Sequence, residues 1–128
     1  MPKRRWLFAA SAWTVFVVLL CLVSFGSLPG VEVPSADKYV HVIFHFIFTV
    51  LWFLHFRSKN RKVSAVVLAV LMVLFSIVFG AFLELAQKWL TISRHADVYD
   101  ILANSTGAIL GAFAVCIYDI LLQKGVFK

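Results

Sequence analysis

The side chains able to do chemistry crowd into the stretch from Glu84 to Gly111, ELAQKWLTISRHADVYDILANSTGAILG. Asp97, Asp100, Asn104, Gly107, Gly111, Ala114 and Tyr118 follow a 3,4,3,4,3,4 spacing, one seam of an α-helix. Its first half is polar and its middle is glycine and alanine. Glu84, Gln87 and Lys88 share a face of a preceding helix by the i, i+3, i+4 rule, with Gly80 and Ser76 continuing that face inward. Upstream, Asp37, His41 and His45 form one stripe beside Lys38. Carboxylates beside imidazoles can move protons or hold a cation. Lysine and arginine beside acids either pair with them or capture phosphate.

The elements that must position these groups are membrane spans. The chain has 128 residues, 62% of them hydrophobic, and a mean hydropathy of +0.96, well outside the range of ordinary soluble domains. The net charge of +6 comes from short basic clusters between apolar runs, the pattern of cytoplasmic loops rather than of a nucleic-acid surface. No nucleic-acid partner is expected. Cys21 and Cys116 each sit inside an apolar run without metal-ligand spacing, so neither a disulfide framework nor a zinc knuckle is expected.

Four runs are long enough to cross the hydrocarbon: about 6–25, 39–56, 63–85 and 98–122. The first lacks an A-x-A-like cleavage site and reads as a retained helix. A segment from Lys88 to Ala96 is expected to connect the third and fourth runs. The expected fold is therefore all-α, a single domain over 1–128 forming an integral membrane bundle of four transmembrane helices. Nine Lys and Arg residues flank one side: Lys3, Arg4, Arg5, Arg57, Lys59, Arg61, Lys62, Lys124 and Lys128. Lys38, Lys88 and Arg94 make three on the other. The asymmetry predicts cytoplasmic N and C termini.

With that orientation, the polar stretches meet in the outer half. A rise of 1.5 Å per residue puts His41 about 6 Å below Asp37, Asn104 about 6 Å below Asp100, and Glu84 about 6 Å below Lys88. His41, Glu84 and Asn104 are thus expected at similar depth, beneath an outer ring of Asp37, Lys38, Gln87, Arg94, Asp97 and Asp100. An ionisable group facing lipid costs about 2.5–3.5 kcal/mol, so these groups should face one another or a wet cavity. Structural roles compete with this reading. Asp97 with Asp100 three residues on resembles an N-cap and its N3 acid, Asn104 can bond helices together, and Gly80, Gly107 and Gly111 suit close helix packing. His41 and His45, at i and i+4, are weak candidates for a metal, with Glu84 or Asp37 as a possible third ligand; no bound metal or other cofactor is expected. His55 and Asp119, at the basic end, are expected to take no part in the site.

Three pieces together resemble the VanZ-like family of small membrane proteins. They are Asp37-Lys38-x-x-His41, Glu84-x-x-Gln87, and Arg94-x-x-Asp97-x-x-Asp100-x-x-x-Asn104-x-x-Gly107-x-x-x-Gly111. The resemblance spans roughly Ala36 to Ala112 and implies a multi-pass protein of the bacterial cytoplasmic (inner) membrane. The family is named for a member linked to resistance to the glycopeptide teicoplanin, which implies a cell-envelope role. Three readings follow: a pocket binding an anionic lipid or lipid-linked envelope precursor, an enzyme acting on such a lipid through Glu84, His41 or Asp100, and a structural or partner-binding protein whose polar layer only locks helices.

The charge asymmetry yields the first prediction. Reporter fusions at either terminus should signal from the cytoplasm, and fusions at Pro29 and near Thr91 from outside; a cytoplasmic signal at Pro29 or Thr91 would reverse the pocket's orientation.

Overall fold

The computed structural model describes residues 2–22, 36–90 and 97–126. They form four helices: α1 (Pro2–Leu22), α2 (Ala36–Lys59), α3 (Ala65–Leu90) and α4 (Val98–Gln123), with no strand among the described residues. Each is long and apolar enough to cross a membrane. The outer surface carries Phe8, Val78, Phe82 and Phe113, all largely exposed. Such a surface suits lipid, and helices satisfy their own backbone hydrogen bonds there.

Several boundaries move from their sequence expectation, α1 already starting at Pro2 instead of near residue 6, and the two shifts nearest the polar residues have local causes. α3 runs on to Leu90 instead of ending near Leu85, so Lys88 belongs to the helix and not to a connection. Its last turn is held because buried Gln87 donates from Nε2 to the Cys21 carbonyl of α1 at 2.8 Å. α2 starts at Ala36, placing Asp37 in its first turn, while Arg57 and Lys59 occupy its last. Both placements complement the helix dipole.

α2 is the hub, touching all three other helices and packing most extensively on α4. That contact depends on missing side chains. A Cβ on Gly107 would collide with the Val42 carbonyl oxygen and lie 3.0 Å from the Val42 Cα, and one on Gly111 would sit 2.9 Å from the Phe46 carbonyl oxygen. Backbone therefore meets backbone, the use of small residues typical of membrane helices. Phe53, Leu68, Ala69, Met72 and Val115 pack together in one half of the bundle, and Val17, Cys21 and Leu83 in the other. Trp13 Nε1 donates to the Phe44 carbonyl and Trp52 Nε1 to Thr14 Oγ1, each at 3.1 Å, tying α1 to α2.

The α4 seam departs from its expected course in its second half. Asp100, Asn104, Gly107 and Gly111 are buried as expected, but the buried face then passes to Val115 and Asp119, leaving Tyr118 exposed. A straight helix has 3.6 residues per turn and drifts from a strict 3.5 repeat, so two further steps of four succeed where the 3,4 alternation fails. On α3 the buried face includes Ser76, Gly80, Leu83, Glu84 and Gln87; Lys88 is exposed and lies off it.

The drift delivers Asp119 to Arg57. Arg57 Nε and Nη2 donate to Asp119 Oδ1 and Oδ2, both at 2.9 Å, and Nη1 donates to the Val63 carbonyl at 2.6 Å. Gln123 Nε2 donates to Asp119 Oδ2 at 2.8 Å. This fork joins α2, the α2–α3 connection and α4. Trp6 of α1 lines the same hollow as Arg57 and Asp119, so the start of α1, that connection and the end of α4 share one end of the bundle.

Removing one partner of a largely buried bidentate pair leaves the other charge uncompensated, at a cost of about 3 kcal/mol or more. Asp119→Leu should therefore markedly lower the thermal midpoint in detergent, and adding Arg57→Leu should restore much of the loss. Equal midpoints for wild type and Asp119→Leu would show that the fork carries no stability.

Candidate functional site

At the other end, the first turns of α2 and α4 and the last turns of α3 bring polar groups together. Asp97 caps α4, its Oδ1 accepting from the Tyr99 backbone N–H at 2.9 Å. The expected cap is present, but Asp100 does not reach back to complete a reciprocal box; it faces α2 and is buried. Lys38 Nζ donates to Asp97 Oδ2 at 2.7 Å and to Asp100 Oδ1 at 2.6 Å. The ammonium and the Tyr99 N–H hold the Asp97 carboxyl below the usual aspartate range. The Tyr99 ring lies 6.0 Å from Lys38 Nζ, close enough for a cation–π contact.

One turn deeper, buried His41 and Asn104 meet directly, with His41 Nδ1 and Asn104 Oδ1 2.9 Å apart. The amide oxygen can only accept, so Nδ1 carries the proton in this pair. His41 Nε2 faces Asp37 Oδ1 and Asp100 Oδ2, each at 3.8 Å, too far for a hydrogen bond. Gly80 on α3 makes room for this layer: its Cβ would stand 2.7 Å from Asn104 Nδ2 and 3.0 Å from His45 Cε1. Glu84 lies one turn along α3 from Gly80 and is 3% exposed. Its charge couples to Asp100, His41 and Asp37, yet its Oε2 is buried with no hydrogen-bond partner among the described residues.

Asp37, Lys38, His41, Glu84, Asp97, Asp100 and Asn104 thus converge. Asp100, placed in the outer ring from sequence, belongs instead to the buried layer. Gln87 reaches α1, through the Cys21 carbonyl. His45 turns away from His41, its Nδ1 standing 2.7 Å from Ser76 Oγ and its ring beside Phe48 and Phe79. Arg94 lies outside the described residues. The expected chemistry of Lys38 changes most, because two carboxylates already engage it. Sequence reasoning missed Tyr99, which serves both Asp97 and Lys38. An aromatic two residues after an N-cap aspartate and one before a second acid was its available signal.

The arrangement can bind polar atoms and can exchange a proton, since an imidazole and a carboxyl group with one unpartnered oxygen share one buried layer. Among the described residues the cluster holds more acids than bases: three aspartates and Glu84 accompany Lys38, whose ammonium contacts Asp97 and Asp100.

Comparison with known proteins places this geometry in a family. The chain is 31% identical over 106 residues to an uncharacterized protein, C11E3.10, of Schizosaccharomyces pombe, an alignment covering 81% of this chain and 62% of the relative. The chain therefore spans about three-fifths of that relative's length. No solved structure matches. Because the relative comes from a yeast, likeness to it carries no bacterial address. The VanZ/LLP1 family model matches residues 5–121, nearly the whole four-helix bundle, and the chain belongs to the VanZ/LLP1 family, as a multi-pass membrane protein.

Proposed function

We propose that the acidic end of the bundle is an outward-facing pocket that binds the headgroup of an anionic lipid or a lipid-linked cell-envelope precursor. The observation that carries this reading is Glu84. A polar layer serving only to lock helices would satisfy its buried groups internally, as Arg57 and Asp119 do at the other end. Here a carboxylate oxygen is buried without a partner among the described residues, at a cost that a structural role alone does not explain.

The ligand class follows from position and valence. The cluster sits where α2 and α4 begin and α3 ends, the depth at which a headgroup meets the hydrocarbon. An ammonium has three N–H donors, and Lys38 spends two on Asp97 and Asp100, leaving one for a phosphate or carboxylate oxygen. Arg94 is the second cation assigned to that group. Asn104, Asp100, His41 and Glu84 read hydroxyl and amide groups deeper in. The glycopeptide association implied by the family resemblance fits this reading, because those antibiotics act on envelope precursors outside the membrane.

The same unpartnered oxygen of Glu84, in the layer of His41, favours a second reading, an enzyme acting on the bound lipid with Glu84 or His41 as general acid or base. Turnover of a lipid extract by the purified protein separates it from binding alone.

Protein extracted gently from membranes should carry a phosphate-bearing lipid detectable by mass spectrometry and lost in Arg94→Ala. Glu84→Gln is nearly isosteric and can remake a hydrogen bond worth about 0.6–2 kcal/mol, and it relieves the desolvation of a buried charge. It and Asp100→Asn should nevertheless abolish complementation of a deletion strain, with Glu84→Gln keeping a near wild-type melting temperature. Full complementation by both variants would refute a functional pocket and leave a lock between helices.

A further inference from the structure

The site reverses the sign of charge that its ligand calls for. From sequence, Lys38 and Arg94 are the groups that receive an anion, yet Lys38 is turned onto two aspartates. Among the described residues of the cluster, Asp37, Asp97, Asp100 and Glu84 make four carboxyl groups, and the one ammonium there, Lys38, contacts only Asp97 and Asp100 of these. A phosphate approaching this mouth meets carboxylates first, and Coulomb repulsion in a partly dehydrated site is severe.

The atoms around His41 show what resolves that conflict. With Nδ1 engaged by the Asn104 oxygen, Nε2 is the ring atom turned toward Asp37 Oδ1 and Asp100 Oδ2. One nitrogen and two carboxylate oxygens, all of them atom types that ligate a metal, thus face one another. At 3.8 Å from Nε2, neither oxygen is in a hydrogen bond. A divalent cation about 2.1 Å from each donor holds neighbouring donor atoms about 3.0–3.4 Å apart, so a small contraction would close the set. The three side chains each offer one ligand atom, all within 4.8 Å of one another. Glu84 is the independent sign of a missing ligand: it is nearly fully buried, it lies one turn from the Gly80 that abuts Asn104, and its Oε2 has no partner among the described residues.

The surroundings also suit a cation. Ligand histidines are held by a hydrogen bond from their other nitrogen, and ligand carboxylates by a bond to their second oxygen. Asn104 does the first for His41, and Lys38 does the second by gripping Oδ1 of Asp100 at 2.6 Å. The Asp37 side chain is 55% exposed, so the set is open on its outer side. Two carboxylates and one imidazole make a mixed oxygen and nitrogen set, suited to ions such as Mn²⁺ and Zn²⁺ and leaving positions free for another ligand.

We propose that Asp37, His41 and Asp100 bind a divalent cation, and that this cation bridges the protein to a phosphate oxygen of the lipid headgroup. The bridge rests on the lipid-binding reading above; the cation site does not. It also replaces the metal expectation drawn from sequence, which turned on His41 with His45. Asp37, a possible third ligand in that expectation, stays in the set as the i, i+4 partner of His41, and Asp100 takes the place of His45.

The cation site is tested with Mn²⁺ alone on full-length protein in detergent, after chelator treatment and delipidation, by loss of the free-ion electron paramagnetic resonance signal. One saturable Mn²⁺ per chain, displaced by Zn²⁺, is expected. Affinity should fall by roughly tenfold or more in His41→Ala and in Asp37→Asn; the exposed position of Asp37 makes the second variant informative even if the first fails to fold. No saturable uptake by the wild-type protein, or wild-type affinity in a folded Asp37→Asn, overturns the site. The bridge is tested with dioctanoyl phosphatidic acid and, separately, inorganic phosphate. Lipid binding that requires Mn²⁺ and exceeds phosphate binding supports it. Equal lipid binding with and without Mn²⁺ overturns the bridge but spares the lipid reading, and no lipid binding by Mn²⁺-loaded protein overturns both. Binding of inorganic phosphate as tight as that of the lipid overturns the assignment of the headgroup as the source of the phosphate.

Discussion

The structure depends on the close approach of α2 and α4 at Gly107, where the Val42 carbonyl occupies the space a side chain would take. Two helices held backbone to backbone place short side chains on both within reach over several turns. One turn outward, His41 meets Asn104; one further, Lys38 spans Asp97 and Asp100. Toward the other end, the same contact continues through Gly111 to Arg57 and Asp119. Aspartate and asparagine reach only a few ångströms from their backbone. A wider separation would leave these groups in hydrocarbon unpaired, at about 2.5–3.5 kcal/mol for each charge.

The two ends resolve their charges differently. At the Arg57 end, a planar guanidinium meets a carboxylate edge to edge, and Gln123 and the Val63 carbonyl take up further hydrogen-bonding capacity. Such a fork is rigid and leaves its charge balanced. At the Lys38 end, acids outnumber Lys38 among the described residues, the imidazole Nε2 faces carboxylates, and Glu84 keeps an unpartnered oxygen. Structural need explains the Arg57 fork in full. It leaves an excess in the second arrangement, and the proposed binding rests on that excess.

The four spans and the membrership of most site residues were legible because a polar residue in an apolar run has few physical excuses, and helical periodicity then tells which of them share a face. Asp37, His41, Glu84, Asp97, Asp100 and Asn104 were all found that way. What periodicity could not supply is the rotation of one helix against another. It put His45 in line with His41, but the α2 face turns far enough for His45 to meet Ser76 on α3. It treated Lys38 as available for a ligand, since competition between a ligand and Asp100 for the same ammonium is a matter of distance. It lost Asp119 because a repeat of 3.5, followed through six steps, strays from a straight helix by a full position. The continuation of α3 to Leu90 hung on one hydrogen bond from Gln87 to a distant backbone carbonyl, a contact with no local signature.

α1 clarifies why the site can carry so much unbalanced charge. It brings no ionisable side chain to the cluster and packs on α2 and α3 through Trp13, Val17, Cys21 and the Gln87 bond. The site itself is built from α2, α3 and α4, which contact one another directly. α1 therefore acts as an apolar cover on one side of a three-helix core, excluding lipid and water from the layer of His45, Phe48 and Phe79 beneath the cluster, where the two phenyl rings stack at 4.6 Å. A dry floor under a charged mouth raises the strength of every interaction above it. The same low polarity raises the cost of the excess carboxyl groups in the cluster, a cost that a bound counter-ion would offset.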